Sequence, residues 1–341
     1  MNIKRSISLT VSALLGLSAF TALTPIGVNA DVEPMLLVGA QATNVINGSE
    51  TTYWVDNGSN SGIIAAEESD NWVLRYQPAS EDSPAELTLR DFTYEGKGSL
   101  DGSVNQTSAV LWIQDPDGLT ISFEGDNTLI NTGNSYFSQG INDRGTCVKL
   151  NFKGEYDATL RIVSGPDNVG ASVVGPIGCG SITLDGGTLI ADGSVNSYNF
   201  GVATGGNDAF ISVKSGTMII KATSQAIYRE SSPTIGAKIL TASTNTDGSD
   251  PVDFDPENLS GYRYLELSPL DAGDVDGNNV VDGRDASAVL THYALISTQQ
   301  SGCVGSAFLS FADYDGNGII DGRDASAILT YYAQQSVNQN N

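Results

Sequence analysis

The stretch ITLDGGTLI, residues 182–190, decides the architecture of the body. Ile182-Thr183-Leu184 alternates apolar and polar side chains, Asp185-Gly186 is a tight-turn signal, and Gly187-Thr188-Leu189-Ile190 runs into a second strand. That last string has counterparts in Asn127-Thr128-Leu129-Ile130, Ala158-Thr159-Leu160-Arg161 and Gly216-Thr217-Met218-Ile219, so the copies begin at a nearly constant interval. Each copy follows an alternating strand and a turn. Each precedes a third short apolar stretch, at Gly140-Ile141, Ser172-Val173, Gly201-Val202 and Ala226-Ile227. Three strands per period describe one coil of a parallel β-helix, because a single coil cannot bury its inner face and stacking closes the core. The expected fold is therefore mainly β, with a right-handed parallel β-helix over about 85–240. Strand candidates lie at 86–90, 110–113, 119–123, 148–152, 182–184, 211–213 and 262–267. An antiparallel β-sandwich would also use short strands and Gly-rich turns; the regular interval favours the coil.

Composition narrows the function. Forty acidic residues stand against 16 basic ones in 341, for a formal charge of −24, with a single His. Such a chain lacks the basic face that nucleic-acid binding needs. It is also a poor match for anionic membranes or acidic glycans unless divalent cations intervene. One His removes Ser-His-Asp triads and multi-His zinc sites from the β-rich part. Residues 1–30 read as an export signal: Lys4 and Arg5, an apolar stretch over 7–22 broken by Ser and Thr, and Val28-Asn29-Ala30 as cleavage site. Losing Lys4 and Arg5 leaves 14 basic groups against 40 acidic ones, a charge of −26. The alternative, a membrane anchor, wants about 20 clean apolar residues, and no second apolar run of that length follows. The protein is expected to be secreted, without a membrane span.

The C-terminal part is an internal duplication. DVDGNNVVDGRDASAVLTHYA at 274–294 recurs as DYDGNGIIDGRDASAILTYYA at 313–333, with no gap between the two copies when they are aligned. Loop positions 1, 3, 5, 9 and 12 carry Asp274, Asp276, Asn278, Asp282 and Asp285, then Asp313, Asp315, Asn317, Asp321 and Asp324. A hard cation such as calcium takes six to eight oxygens at ~2.3–2.6 Å, and this spacing wraps them around one point, with the carbonyls of Val280 and Ile319 at position 7. Four carboxylates per loop repel one another without a cation, so ion binding is expected to be part of folding, with one calcium per loop. Position 6 needs a tight turn, supplied by Gly318 in the second loop and Asn279 in the first, which makes the first site the weaker expectation. After each loop, Ala286, Val289, Leu290 and Tyr293 recur as Ala325, Ile328, Leu329 and Tyr332, the spacing of one helical face. The helices are expected to start at Asp285 and Asp324. His292, replaced by Tyr331 in the second copy, reads as an exposed or interfacial side chain.

Residues 271–336 resemble a type I dockerin module. The resemblance implies a small all-α, EF-hand-like domain with two loop–helix calcium repeats. It also implies docking onto a cohesin domain of a scaffolding protein in a cellulosome outside plant-cell-wall-degrading bacteria. Its partner-selecting positions fall on Gly283 and Arg284 and again on Gly322 and Arg323, in place of the commoner Ser-Thr type pair. Duplication predicts two nearly equivalent cohesin-binding faces.

The body is similar to parallel β-helix proteins of the pectate-lyase-like group and to cellulosomal carbohydrate-binding modules on that fold. The hydrolase branch of that group uses clustered Asp with a His and an Arg-x-Lys element, neither of which occurs in the body. The lyase branch uses calcium and a basic residue; Arg144, Lys153, Arg161, Lys214 and Arg229 are present, and nothing in one dimension marks any as a base. A non-catalytic glycan-binding body is the first expectation; a divergent polysaccharide lyase or glycosidase is the alternative, with catalytic residues unknown. Asn134-Ser135-Tyr136-Phe137 recurs as Asn196-Ser197-Tyr198-Asn199-Phe200, so Tyr136 and Tyr198 form a candidate carbohydrate platform, against the reading of loop aromatics packed on their own turns. Cys147 and Cys179, about one coil apart in the sequence, become neighbours on adjacent coils, as a disulfide or as two buried thiols. Trp54, Trp72 and Trp112 read as core or cap residues, 241–257 as a loop and 268–273 as a link. The expected division is a leader at 1–30, a body at 31–268 and a dockerin at 269–341.

Overall fold

A computed structural model describes residues 35–39, 43–44, 50–56, 63–81, 83–100, 107–114, 118–133, 137–143, 149–165, 177–195, 199–205, 208–228 and 233–338. The body is a β-solenoid with three parallel ladders. The first stacks Ala85–Arg90, Leu119–Glu124, Lys149–Gly154, the leading halves of Ser181–Gly193 and Phe210–Ala222, and Thr234–Gly236. The second stacks Thr93–Gly96, Asp126–Asn131, Thr159–Val163 and the trailing halves of the same two long strands. The third stacks Thr107–Gln114, Phe137–Asn142, Ile177–Cys179, Phe200–Thr204 and Gln225–Ile227. Inward rows such as Leu87, Ile121, Phe152, Leu184 and Val213 are fully buried and share one core with the other two ladders. At ~25 cal/mol per Å² of apolar surface, this stacking is the main stabilising term.

The turns explain the long strands. Gly186 has φ +91°, and a Cβ there would sit 2.2 Å from the carbonyl oxygen of Gly154 in the coil below. Only glycine lets the backbones stack so closely. One turn departs from the expected alignment. Leu119 pairs with Leu150 in the first ladder, but in the second Asn127 pairs with Leu160 rather than with Ala158. Two extra residues therefore lie in the turn after Gly154. Because side chains alternate with period two, a two-residue slip still keeps the apolar row inside. That turn carries Tyr156, which is fully exposed.

The third-ladder expectation at Ser172-Val173 lies outside the described residues, and the strand that pairs there is Ile177–Cys179. At the N-terminal side, Thr52–Asp56, Ile63–Ala66 and Leu74–Gln77 add antiparallel to Ala85–Arg90, while Met35–Val38 pairs antiparallel with Thr107–Gln114. These strands shield the end of the coil stack. Trp54, Trp72 and Trp112 are buried, as expected. At the other end, Tyr264–Ser268 closes the second ladder antiparallel to Phe210–Ala222 and pairs with Lys238–Ser243. Residues 241–243 thus belong to a strand rather than to the expected loop, since their backbone groups complete that ladder. The link at 268–273 is packed: Leu270 is buried and the Gly273 amide donates to the Phe311 carbonyl.

Three helices follow: α1 (Gly283–Ser297), α2 (Leu309–Ala312) and α3 (Gly322–Asn338). Helices α1 and α3 pack through Ala286, Val289, Ala325 and Ile328, with Val275 and Ala312 completing a small core. Among the described residues, no helix is long and apolar enough to cross a membrane. Residues 1–34, which hold the expected leader, lie outside the described residues, as do Cys147, Tyr136 and Tyr198.

Candidate functional site

Each acidic loop is folded by its own side chains. In the first, both oxygens of Asp274 accept backbone amides, from Gly277 and Asn279, each at 2.8 Å. Asp276 accepts from the Asn278 amide at 3.1 Å and Asn278 from Val280 at 2.7 Å. The second loop repeats this with Asp313 holding Asn317 and Gly318 at 3.0 and 2.8 Å, Asp315 holding Asn317 at 3.1 Å, and Asn317 holding Ile319 at 2.9 Å. Asn279 has φ +64° and Gly318 +85°, so the expected left-handed turn at position 6 is present in both. Such Asx turns are what short oxygen-bearing side chains do in tight loops.

The result is convergence. Carboxylate oxygens of Asp274, Asp276 and Asp285 lie within 4.8 Å of one another, and so do those of Asp313, Asp315 and Asp324. Asp285 is the keystone of the first group: Oδ1 accepts the Val275 amide at 2.9 Å and Oδ2 the Asp282 amide at 2.8 Å. Asp324 does the same for Asp315 at 3.1 Å and Asp321 at 2.8 Å. Burial raises the Asp274 carboxyl above its ordinary value, opposed by the Asn279 and Gly277 amides and reinforced by the negative charges of Asp285 and Asp276. An all-oxygen donor set with repelling carboxylates suits a hard divalent cation, and these groups could hold one.

Asp282 and Asp321 lie outside these two carboxylate groups. Asp282 is the N-cap of α1, accepting from the Arg284 amide at 2.6 Å, with Asp285 at the third helical position completing a capping box. The helices therefore begin at Gly283 and Gly322, two residues before the expected starts, because the preceding Asp satisfies the first free amides. Asp321 accepts from the Arg323 amide at 2.7 Å and also pairs with the Arg323 guanidinium at 2.9 Å. Those bonds hold Asp321 below the usual carboxylate range.

The two loops differ in cover. Asp274 is fully buried, and a Cβ on Gly277 would meet the Phe308 ring at 2.8 Å, so the segment before α2 roofs the first loop. Around Gly316 and Gly318 there is open space. His292 is buried rather than exposed, its Nδ1 accepting the Val304 amide at 3.1 Å, because the connection between the repeats folds back over α1.

The expected single apolar helix face splits in two. Ala286, Val289, Ala325 and Ile328 face the small core, whereas Leu290, Tyr293, Leu329 and Tyr332 are 40–53% exposed. Val280 and Ile319, which occupy matching places in the two copies, are exposed as well. A Cβ added at Gly283 or Gly322 would meet nothing within 4 Å, and Arg284 and Arg323 are exposed beside them. Duplicated sequence has thus become duplicated surface. Leu290, Tyr293, Leu329 and Tyr332 recur at matched positions in the sequence, but it is the packing of α1 against α3 that leaves them exposed.

Residues 272–331 match the dockerin type I domain. The chain carries a type I dockerin behind a β-solenoid body. No curated protein matches the chain. The dockerin meets the body through its inter-repeat connection: Ser212 donates to the Ala307 carbonyl at 3.0 Å, and Gly236, in the last rung of the first ladder, lies against the same carbonyl.

Proposed function

We propose that the protein is a secreted cellulosome component that docks through its dockerin onto a scaffold cohesin and presents the solenoid to plant cell-wall polysaccharide. The observation that carries this is the pair of acid-lined loops, each followed in its helix by an exposed Arg and an exposed Leu-Tyr pair at matching positions of the two copies. Two calcium ions would be held by Asp274, Asp276 and Asp285 and by Asp313, Asp315 and Asp324. Asn278, Asn317 and the carbonyls of Val280 and Ile319 would add oxygens, and Asp282 and Asp321 would act from the helix N-caps. Charge neutralisation by the ions favours a single closed loop geometry, so cohesin binding depends on them. The two faces, built around Arg284 and Arg323, each suffice alone. The division into leader 1–30, body 31–268 and dockerin 269–341 belongs to the same reading. A lyase or glycosidase body remains the alternative assignment for the solenoid.

Retention of the full chain on immobilised cohesins, with calcium and with chelator, tests the reading. Calcium-dependent retention is expected, with Arg284→Ala or Arg323→Ala alone tolerated and the double change weakening binding. Retention that persists in chelator, or loss through one single change, would contradict it.

A further inference from the structure

The outer side of the first ladder carries a groove of about 210 Å³ whose lining includes Arg75, Glu86, Thr88, Ser122, Glu124 and Lys153. Strand register sets its floor. Arg75 pairs with Thr88, Thr88 with Ser122 and Ser122 with Lys153, so four side chains from adjacent strands form one row. At ~4.8 Å per strand the row spans roughly 14 Å. It has a cation at each end and two hydroxyls between.

The groove is built, and one of its donors is unmet. The Arg75 guanidinium donates to Thr88 Oγ1 at 3.1 Å and lies 4.9 Å from the centre of the Trp72 ring, yet its Nε is buried without a hydrogen-bond partner. A desolvated donor without an acceptor is costly, and a shift of the Arg75 side chain toward the groove would let a ligand oxygen accept from it. Arg90 also lies over the Trp72 ring, 3.7 Å from its centre, and pairs with Glu124 at 2.8 Å, while Ser122 donates to Glu86. Glu155 continues the lining, and Tyr156 beside it stands fully exposed on the turn that is two residues longer than its neighbour below. A single exposed Tyr is ordinary. One extruded by an insertion at the edge of a groove with an unmet donor is not.

Charge selects the ligand class. Arg75, Arg90 and Lys153 balance Glu86, Glu124 and Glu155, and the chain as a whole carries −24. The site offers many donors and acceptors but no net attraction for a polyanion. We propose that this groove binds a neutral polysaccharide laid across the strands. Arg75 and Lys153 donate to sugar oxygens, Glu86 and Glu124 accept from sugar hydroxyls, and Tyr156 covers the apolar face of one ring. The inference rests on the reading of the body as a polysaccharide module and adds where on the solenoid, and to which class of glycan, it binds.

Affinity electrophoresis of the full chain in calcium through gels containing xyloglucan, arabinoxylan, galactomannan or polygalacturonate tests it. Retardation by at least one neutral polymer and not by polygalacturonate is expected. Tyr156→Ala and Lys153→Ala, both at exposed positions, should each weaken that binding about tenfold, the loss of one good contact. Lys214→Ala, exposed on the same ladder outside the groove, should not change it. Neutral-polymer binding untouched by Tyr156→Ala and Lys153→Ala would overturn the groove while leaving the polysaccharide reading standing. Retardation by polygalacturonate alone would overturn the choice of ligand. No retardation by any polymer would remove both.

Discussion

Asp285 ties loop, metal group and helix together, so replacing it with Ala separates the metal's contribution from the scaffold's. The change strips two backbone amides, Val275 and Asp282, of a charged acceptor at 2.9 and 2.8 Å, and Val275 is itself buried. Hydrogen bonds to a charged group contribute about 1.5–3 kcal/mol each, which makes the loss about 3–6 kcal/mol before any ion is considered. A module of this size rarely has more than about 3–5 kcal/mol in hand. In chelator, Asp285→Ala should therefore leave α1 and the first loop without amide-exchange protection in the full chain. Asp285→Asn keeps one acceptor for Val275 but turns an amide donor toward the Asp282 amide, and should cost about half as much. Asp324→Ala should cost less than Asp285→Ala, because its neighbour Asp313 is only half-buried and water can replace part of what is lost. Hydrogen exchange followed by mass spectrometry, in chelator and in calcium, reads all three. Native-like protection of α1 in calcium-free Asp285→Ala would refute the keystone role.

Two further outcomes follow from packing and charge. A side chain at Gly236 would begin 2.3 Å from the Ala307 carbonyl oxygen, so Gly236→Val should push the inter-repeat connection off the last rung and forfeit the Ser212 bond, about 1 kcal/mol, with faster amide exchange over 298–312; unchanged exchange there would mean the contact holds nothing. Asp192 is raised by burial, but the Ser194 and Arg161 bonds outweigh this and leave it depressed. Its stabilising contribution is therefore complete above about pH 4 and lost as pH falls through the folded value, and Arg161→Met should move the acid-unfolding midpoint of the body, followed by Trp fluorescence, to higher pH.

Much of this molecule is legible in one dimension because its two parts are repeats. Leu160, Leu189 and Met218 stack in the register that their regular sequence interval implies, since identical coils must meet at one strand spacing. The acidic loops are equally local: every amide that Asp274, Asp276 and Asn278 hold lies within five residues. Local interactions are encoded by local spacing. The early helix starts were readable too, in Asp282 followed at the third helical position by Asp285, a capping-box pattern.

What the amino-acid order by itself determined is the repeat: coils that stack, and loops that gather carboxylates around a point. Tertiary structure alone decided which apolar side chains stay outside. Leu290 and Val289 are adjacent, and only the approach of α3 buries one and leaves the other in water. It also decided the groove, which sets Arg75, on an antiparallel end strand, in one row with Lys153, on a coil far away in the sequence. Periodicity reports that a face is apolar or a strand alternates; it carries no information on which distant segment arrives to cover it.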